Sequence, residues 1–505
     1  MFNRRKFLAG AASALPAWAA RGADLPAGKS AKKQPNFLLL MSDQHKRSCM
    51  GAAGDQVAKT PHLDKLMAES VAFSSAYCSN PVCAPSRASL MTGLYSHNIE
   101  TQSNATPYSY KHKTMAHNLG AAGYFTGLIG KMHWVDGQTH GFDYRLEFND
   151  WMQYLGPKAK LYAEETGGLR NSGAGLPEIE SIWGKGYNPW AGEITHDGRE
   201  GSVAVGRASL LPEEDHFDSF VARESVRFLR EYAKEDQPFF LITSFLKPHE
   251  PFMPAKRFAD MFKAEDMALP ATWKSAKLDT LPKEVQDSIR RDGPTPEMSD
   301  ADEVKQRIAM YYGCVAQMDD CVGQVLQALQ ELDLERDTIV CYTADHGDMV
   351  GDLGLWGKFQ FYEGSCGVPL MFRIPGRESA KRDVPVSLVS LMATICDLCG
   401  VPCSRNDGES FMGLIHGGGA GKPVYAEFAL GTRGAKYMLR EGEWKYTHWV
   451  FDRDELYNLK NDPQELTNLA GVAAYAGQRD AMKQKLLAWH TPTDEAIVAA
   501  HQKKA

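Results

Sequence analysis

The chain reads as an α/β protein: a doubly wound, mostly parallel sheet sandwiched by helices, with a smaller α+β part at the C-terminal end. Three observations predict this. Short, continuous apolar runs alternate with helical patterns, as buried parallel strands do. Each run delivers polar residues at its carboxyl end, where open α/β sheets hold their ligands. Past about Val401 the pattern changes to shorter strand-like pieces.

Taken in order, residues 36–42 run into Asp43, 124–129 into Gly130 and Lys131, 239–245 toward His249, and 338–343 toward Asp345. Between the first two, Thr60-Pro61-His62-Leu63-Asp64-Lys65-Leu66-Met67 sets a capping threonine before a proline at the first helical position, with apolar residues at helical spacing. Residues 304–332 predict a longer amphipathic helix. Residues 153–209 lack clear periodicity and carry many glycines with Trp183, Tyr187 and Trp190, which predicts an insertion over the active face. Strands are expected over 424–428, 437–440 and 443–446, and a helix over 478–490. The expected division is 1–34 as leader and linker, 35–405 as catalytic domain and 406–505 as α+β subdomain.

A chain of 505 residues is long enough for a large core and more than one domain. Its net charge of -7 gives no reason to expect a nucleic-acid partner. No span approaches transmembrane length. Ten cysteines at irregular spacing are too few for a disulfide scaffold. Cys396 and Cys399 lie on the apolar run of Leu388, Leu391, Met392 and Ile395, which points to a packed helix rather than a metal site; in an oxidising compartment a local disulfide at Cys399 or Cys403 is expected instead.

The first residues differ from the rest. Asn3-Arg4-Arg5-Lys6-Phe7-Leu8 precedes an Ala-rich apolar stretch ending near Ala17-Trp18-Ala19. Paired arginines, a weakly apolar core and an A-x-A exit resemble a bacterial twin-arginine export signal, so residues 1 to about 19 are excluded from the fold and a periplasmic or otherwise exported location is expected.

The most informative segment is Asn80-Pro81-Val82-Cys83-Ala84-Pro85-Ser86-Arg87-Ala88-Ser89-Leu90-Met91-Thr92-Gly93. Pro85 suits the first turn of a helix, which puts Cys83 just before the helix N-terminus, where free N–H groups and the dipole favour an anion. Arg87, one turn on, reaches back to the same point. Cys-x-Pro-Ser-Arg followed by Leu-Met-Thr-Gly resembles the signature of the type I sulfatases of the alkaline phosphatase superfamily, whose cysteine is oxidised to formylglycine. Met438 to Tyr446 and Glu455 to Asn458 with Asp462-Pro463 also resemble the C-terminal part of that family.

The resemblance implies an alkaline-phosphatase-like fold and a set of site residues. Asp43, Gln44, Cys83, Asp345 and His346 would hold a divalent cation, with calcium first and magnesium or manganese as alternatives, because Gln44 is neutral and His346 offers nitrogen where the family more often has Asp and Asn. Lys131 and His133 match the family's Lys-x-His pair: Lys131 on a sulfate oxygen, His133 on the formylglycine hydroxyls. His249 matches the histidine near the ester oxygen, as general acid, and Lys358 the second sulfate-binding lysine. One hydroxyl of the formylglycine hydrate would attack sulfur, helped by the cation and Arg87, and the second would expel sulfate.

The expected function is therefore hydrolysis of sulfate esters of small molecules or oligosaccharides, sugars foremost, with a formylglycine-generating enzyme required for maturation. The alternatives are a phosphonate monoester or phosphodiester hydrolase of the same superfamily and an inactive carbohydrate-binding homologue. Residues 345–351 and Tyr362-Glu363-Gly364-Ser365 are similar to the choline-sulfatase-like branch, whereas export favours sulfated sugars.

Overall fold

The computed structural model describes residues 34–104, 106, 111–133, 138–165, 206–232, 237–275, 277–292 and 301–490. The expected leader and linker, and the part of the expected insertion that carries Trp183, Tyr187 and Trp190, lie outside the described residues. The start of that insertion is helical, over Phe148–Leu155 and Ala159–Glu165. Phe148, Trp151, Met152 and Leu155 form the buried i, i+3, i+4, i+7 stripe of the first helix, a pattern lost when the segment is read from 153.

Among the described residues, nine strands make the main sheet: β1 (Asn36–Asp43), β2 (Val71–Tyr77), β3 (Phe125–Gly130), β4 (Tyr144–Leu146), β5 (Phe239–Pro248), β6 (Thr338–Ala344), β7 (Gly367–Arg373), β8 (Ala380–Arg382) and β9 (Val386–Ser387). Their order is β4-β3-β5-β1-β6-β7-β2-β8, with β9 also on β2. Every pair from β4 to β6 is parallel, whereas β7 runs antiparallel to both β6 and β2. The apolar runs are continuous because both faces are covered: Phe37, Leu39 and Met41 enter one core with Leu90, Leu128 and Ile242, and Leu38 and Leu40 enter the opposite one with Trp151, Val322 and Val325. The long helix Ala301–Glu331 and the helix Phe217–Tyr232 cover the second face.

Register sets the site. Ser42 lies opposite Ala344 and Gly130 opposite Ser244, so Asp43, Lys131 and Asp345 emerge side by side at one edge. Gly130 is required there: its φ is +109° and an added Cβ would fall 1.8 Å from the Ser244 carbonyl oxygen. The end of β5 is fixed separately by Asp218, whose carboxylate accepts the Leu246 and Lys247 N–H groups at 2.7 and 2.9 Å.

A second, four-stranded antiparallel sheet follows: β10 (Val424–Phe428), β11 (Lys436–Glu441), β12 (Trp444–Trp449) and β13 (Glu455–Asn458), in that order. Tyr437 and Leu439 pack toward the helix Ala476–Trp489, while Val424, Ala426 and Met438 join the core of the main sheet. Lys445 of β12 is buried between Glu363 and Glu465. Glu363 also takes Arg47 at 2.6 Å, so this residue of the segment similar to the choline-sulfatase-like branch ties the small sheet to the main body.

Two expectations change. Thr60 precedes the helix Pro61–Ala68 but does not cap it; Asp319 of the long helix accepts from the N–H groups of His62 and Leu63 at 3.1 and 2.8 Å. The helix Leu391–Cys399 forms as read, yet all ten cysteines are free thiols, so the expected bridge at Cys399 or Cys403 is not formed.

Gly130→Ala should cost at least about 2 kcal/mol, since it combines a left-handed backbone with a clash against a main-chain oxygen. Denaturant titration checks this, and activity should fall with it because Lys131 follows directly.

Candidate active site

The helix Cys83–Thr92 begins one residue earlier than the proline suggests, with Val82 as its N-cap, and Cys83 is its first residue. The helix is buried along its whole length, which fixes Cys83 over the carboxyl ends of β1 and β6. Cys83 Sγ lies 3.2 Å from His346 Nε2, 3.3 Å from Lys358 Nζ, 3.8 Å from Asp43 Oδ1 and 3.9 Å from Lys131 Nζ. Burial alone would raise the thiol's pKa, but Lys131, Lys358 and His346, with a hydrogen bond from His133, hold it well below the ordinary value. This is a position that stabilises negative charge.

Arg87 does not reach the sulfur. Its guanidinium is fully buried and donates to Asp345 Oδ2 at 2.7 Å, Asp43 Oδ2 at 3.0 Å, Ser244 Oγ at 2.9 Å and the Lys131 carbonyl. Lys131 Nζ adds a second cation on Asp43, at 2.6 Å. Burial and the Cys83 charge would raise the Asp43 pKa, and Lys131, His249 and Arg87 overcome them to hold its carboxyl below the usual range. Asp345 accepts the Gln44 and His346 N–H groups on Oδ1 at 3.1 and 2.9 Å, which fixes the direction of its carboxylate.

Asp43, Cys83, Asp345 and His346 each present a ligand atom within 4.8 Å of the others, all four fully buried. These donors fit a divalent cation: two carboxylates, and an imidazole whose Nδ1 lies 3.0 Å from the Gly347 carbonyl, so that Nε2 faces the cluster. Gln44 stands differently from the expected ligand. Its amide oxygen accepts from Lys358 Nζ at 2.7 Å, and its amide nitrogen donates to Asp348 Oδ2 at 2.6 Å and to Glu250.

Glu250 and Asp348 are site residues that the sequence does not single out. Both stand inside recognisable motifs, but nothing in their spacing pairs either with Gln44, which is 206 and 304 residues away. Glu250 opposes its own burial with help from His249 and Lys358, which hold its carboxyl down at about 2. His249 Nδ1 sits 2.6 Å from the Glu250 carbonyl and 3.5 Å from its carboxylate, and Nε2 sits 2.8 Å from Lys358 Nζ. His133, buried at φ 64°, completes the ring around the sulfur; burial lowers its pKa. The site thus brings together every expected residue: Cys83, Lys131, His133, His346 and Lys358 at the sulfur, Asp43, Asp345 and Arg87 beneath it, and Gln44 and His249 through Lys358.

A nucleophile position ringed by lysines and histidines above a buried carboxylate pair, at the carboxyl edge of this sheet, defines a hydrolase of anionic esters with an alkaline-phosphatase-like architecture. The chain belongs to the sulfatase family, whose pattern matches residues 35–401, and residues 351–491 match the family described as N-sulphoglucosamine sulphohydrolase, C-terminal. It is a sulfuric ester hydrolase. The choline-sulfatase of Rhizobium meliloti (strain 1021) is 29% identical over 454 residues, covering 86% of this chain and 82% of that protein. The arylsulfatase of Clostridium perfringens (strain 13 / Type A) is 29% identical over 476 residues, covering 90% and 94%. The crystal structure of the phosphonate monoester hydrolase of Agrobacterium radiobacter superposes with a TM-score of 0.73 at 25% identity, over 93% of this chain and 96% of that one.

Chelation should lower activity, and Asp43→Ala or Asp345→Ala should lower metal content far more than Gln44→Ala, because a carboxylate binds a hard cation more tightly than an amide already held by a lysine. Elemental analysis of the purified variants measures the ranking.

Proposed function

We propose that the protein hydrolyses sulfate esters of sugars through Cys83 converted to formylglycine, with a divalent cation held by Asp43, Asp345, His346 and the residue at position 83. The observation that carries the reading is the Cys83 environment: two lysines and two histidines converge on one buried atom that begins a helix, the surroundings an anionic sulfuryl group needs. When present, formylglycine supplies an oxygen nucleophile and a route for sulfate release, and the cation neutralises charge on the sulfuryl oxygens.

The remaining roles belong to the chain. Lys131 and Lys358 bind sulfuryl oxygens from two sides of position 83. His133 holds a hydroxyl there and takes its proton. Arg87 is a positioning residue, holding both carboxylates in place through its hydrogen bonds to Asp43 and Asp345. His249 gives the departing alcohol its proton from Nε2, and the Glu250 carbonyl, 2.6 Å from Nδ1, orients the ring for this role. The likeness to a phosphonate monoester hydrolase and the His346 donor keep phosphonate and phosphodiester substrates as the second reading. The proposal also places the enzyme outside the cytoplasm, on the strength of Arg4-Arg5 and the apolar stretch after them, and requires a maturation enzyme for Cys83.

Cys83→Ala should abolish sulfate release with the fold intact, because Ala fits the space that Cys filled, and Cys83→Ser should form a sulfate ester that it cannot release. Steady-state turnover by Cys83→Ala near the wild-type rate contradicts the assignment; phosphonate ester turnover exceeding that of every sulfate ester selects the second reading.

Leaving-group dependence separates His249 from the lysines. His249→Ala should lose roughly 100-fold more rate on a sugar sulfate than on nitrophenyl sulfate, whose phenolate departs unaided. Lys131→Ala should lose rate about equally on both. Equal losses for His249→Ala would make it a binding group.

A further inference from the structure

Lys358 has a second face. Besides contacting Cys83, Lys358 belongs to the lining of a cavity of about 920 Å³, together with Phe359, Phe428, Trp449 and Phe451 and, at the rim, Glu284, Asp287, Arg433 and Asp452. We propose that this cavity receives the leaving alcohol, and that the alcohol is a sugar ring bearing a second anionic group. The proposal rests on the sulfatase reading above and names the substrate class of that site.

Position comes first. Lys358, one of the lining residues, has its Nζ 3.3 Å from the nucleophile position and 2.8 Å from His249 Nε2, so an alcohol seated in the cavity would carry the bridging ester oxygen that His249 protonates. Its volume sits at the upper end of the range for ligand sites, more than a small alkyl alcohol fills.

The walls are aromatic. Phe359 and Phe451 are 45% and 42% exposed, unusual for phenylalanines. Phe359 also has φ 80°, a strained conformation for a bulky side chain, maintained by its N–H on the Pro81 carbonyl at 3.2 Å. An exposed ring held by a strained backbone next to a site lysine is costly to keep without a ligand to face. Behind it, buried Lys436 places Nζ 4.0 Å from the Trp449 ring centre and 4.9 Å from that of Phe428, and donates to Gln360 at 2.8 Å. The inner rings are locked from beneath, and the outer ones are left to stack on the apolar face of a sugar.

Charge decides between a cationic and an anionic alcohol. A quaternary ammonium group would want aromatic faces beside unengaged carboxylates. Each carboxylate on this rim is engaged: Asp287 by Lys283 Nζ at 2.6 and 2.8 Å, Glu284 by Lys436 at 3.5 Å, Asp452 by the Lys283 and Arg453 N–H groups at 2.5 and 2.7 Å. Arg433 is exposed and has no ion-pair partner among the described residues. The charged side chain of the rim left without a hydrogen-bond or ion-pair partner among the described residues is this guanidinium, which suits a carboxylate or a second sulfate.

The test uses Cys83→Ala protein, which binds without turning over, titrated calorimetrically with a disulfated disaccharide, its monosulfated counterpart and choline sulfate. Adding Arg433→Ala should weaken the disulfated ligand at least about tenfold and the monosulfated one less than about threefold, with Arg433→Lys between them. Adding Phe359→Ala should weaken both sugars about tenfold. Equal losses on the two sugars for Arg433→Ala, or choline sulfate binding more tightly than the disulfated ligand, overturns the proposal. Turnover of nitrophenyl sulfate by the mature enzyme is the separate arm. Turnover without sugar binding removes the subsite and keeps the sulfatase reading; Arg433-dependent sugar binding without turnover of any sulfate ester keeps the subsite and removes the reading.

Discussion

The guanidinium of Arg87 joins the carboxyl ends of four parallel strands: Asp43 from β1, Asp345 just past β6, Ser244 in β5 and the carbonyl of Lys131 just past β3. Two buried carboxylates so close together repel one another, and a hydrophobic interior disfavours their charge. One buried cation stabilises both and fixes their directions. Breaking such a pair from one side costs about 3–5 kcal/mol, so the site and the local fold depend on the same residue. Lysine could not replace it, since a point charge cannot span four acceptors in a fixed plane. Arg87 enters from the helix that carries Cys83, which couples the nucleophile's position to the metal-capable cluster through one turn of backbone.

Much of this is legible in the sequence, for a physical reason. A buried parallel strand must be apolar throughout, so the first polar residue after it marks the sheet edge, as Asp43, Lys131 and Asp345 do. The less legible parts depend on contacts rather than on periodicity. β7 contains Pro369, which argues against a strand; it is accommodated because β2 is irregular between Phe73 and Ala76, opposite that proline. The cap of the helix Pro61–Ala68 comes from Asp319, far along the chain, and the local threonine supplies no such signal. Glu250 and Asp348 act through Gln44, whose place beside Asp43 in the sequence suggests a metal ligand and whose amide instead meets a lysine and two carboxylates. Arg87 lies where its spacing predicts, but its guanidinium reaches the carboxylates and not the sulfur.

The small C-terminal sheet is as much part of the site's surroundings as the main one. Lys445 anchors it to Glu363 and, through Glu363, to Arg47, three residues beyond Gln44. On its other side Trp449 and Lys436 shape the cavity that opens at Lys358. Asp43, Lys131 and Asp345 thus stand at the ends of the parallel strands, while the walls of that cavity come largely from the small sheet and its turns, together with Phe359.

The measurement that bears most directly on this account is the dependence of sulfate release on the state of position 83. Preparations with graded conversion of Cys83 to formylglycine, quantified by mass spectrometry of the peptide that carries it, should release sulfate in proportion to that fraction, with the line passing through the origin. Sulfate release that is undiminished in protein whose Cys83 is entirely thiol would contradict it.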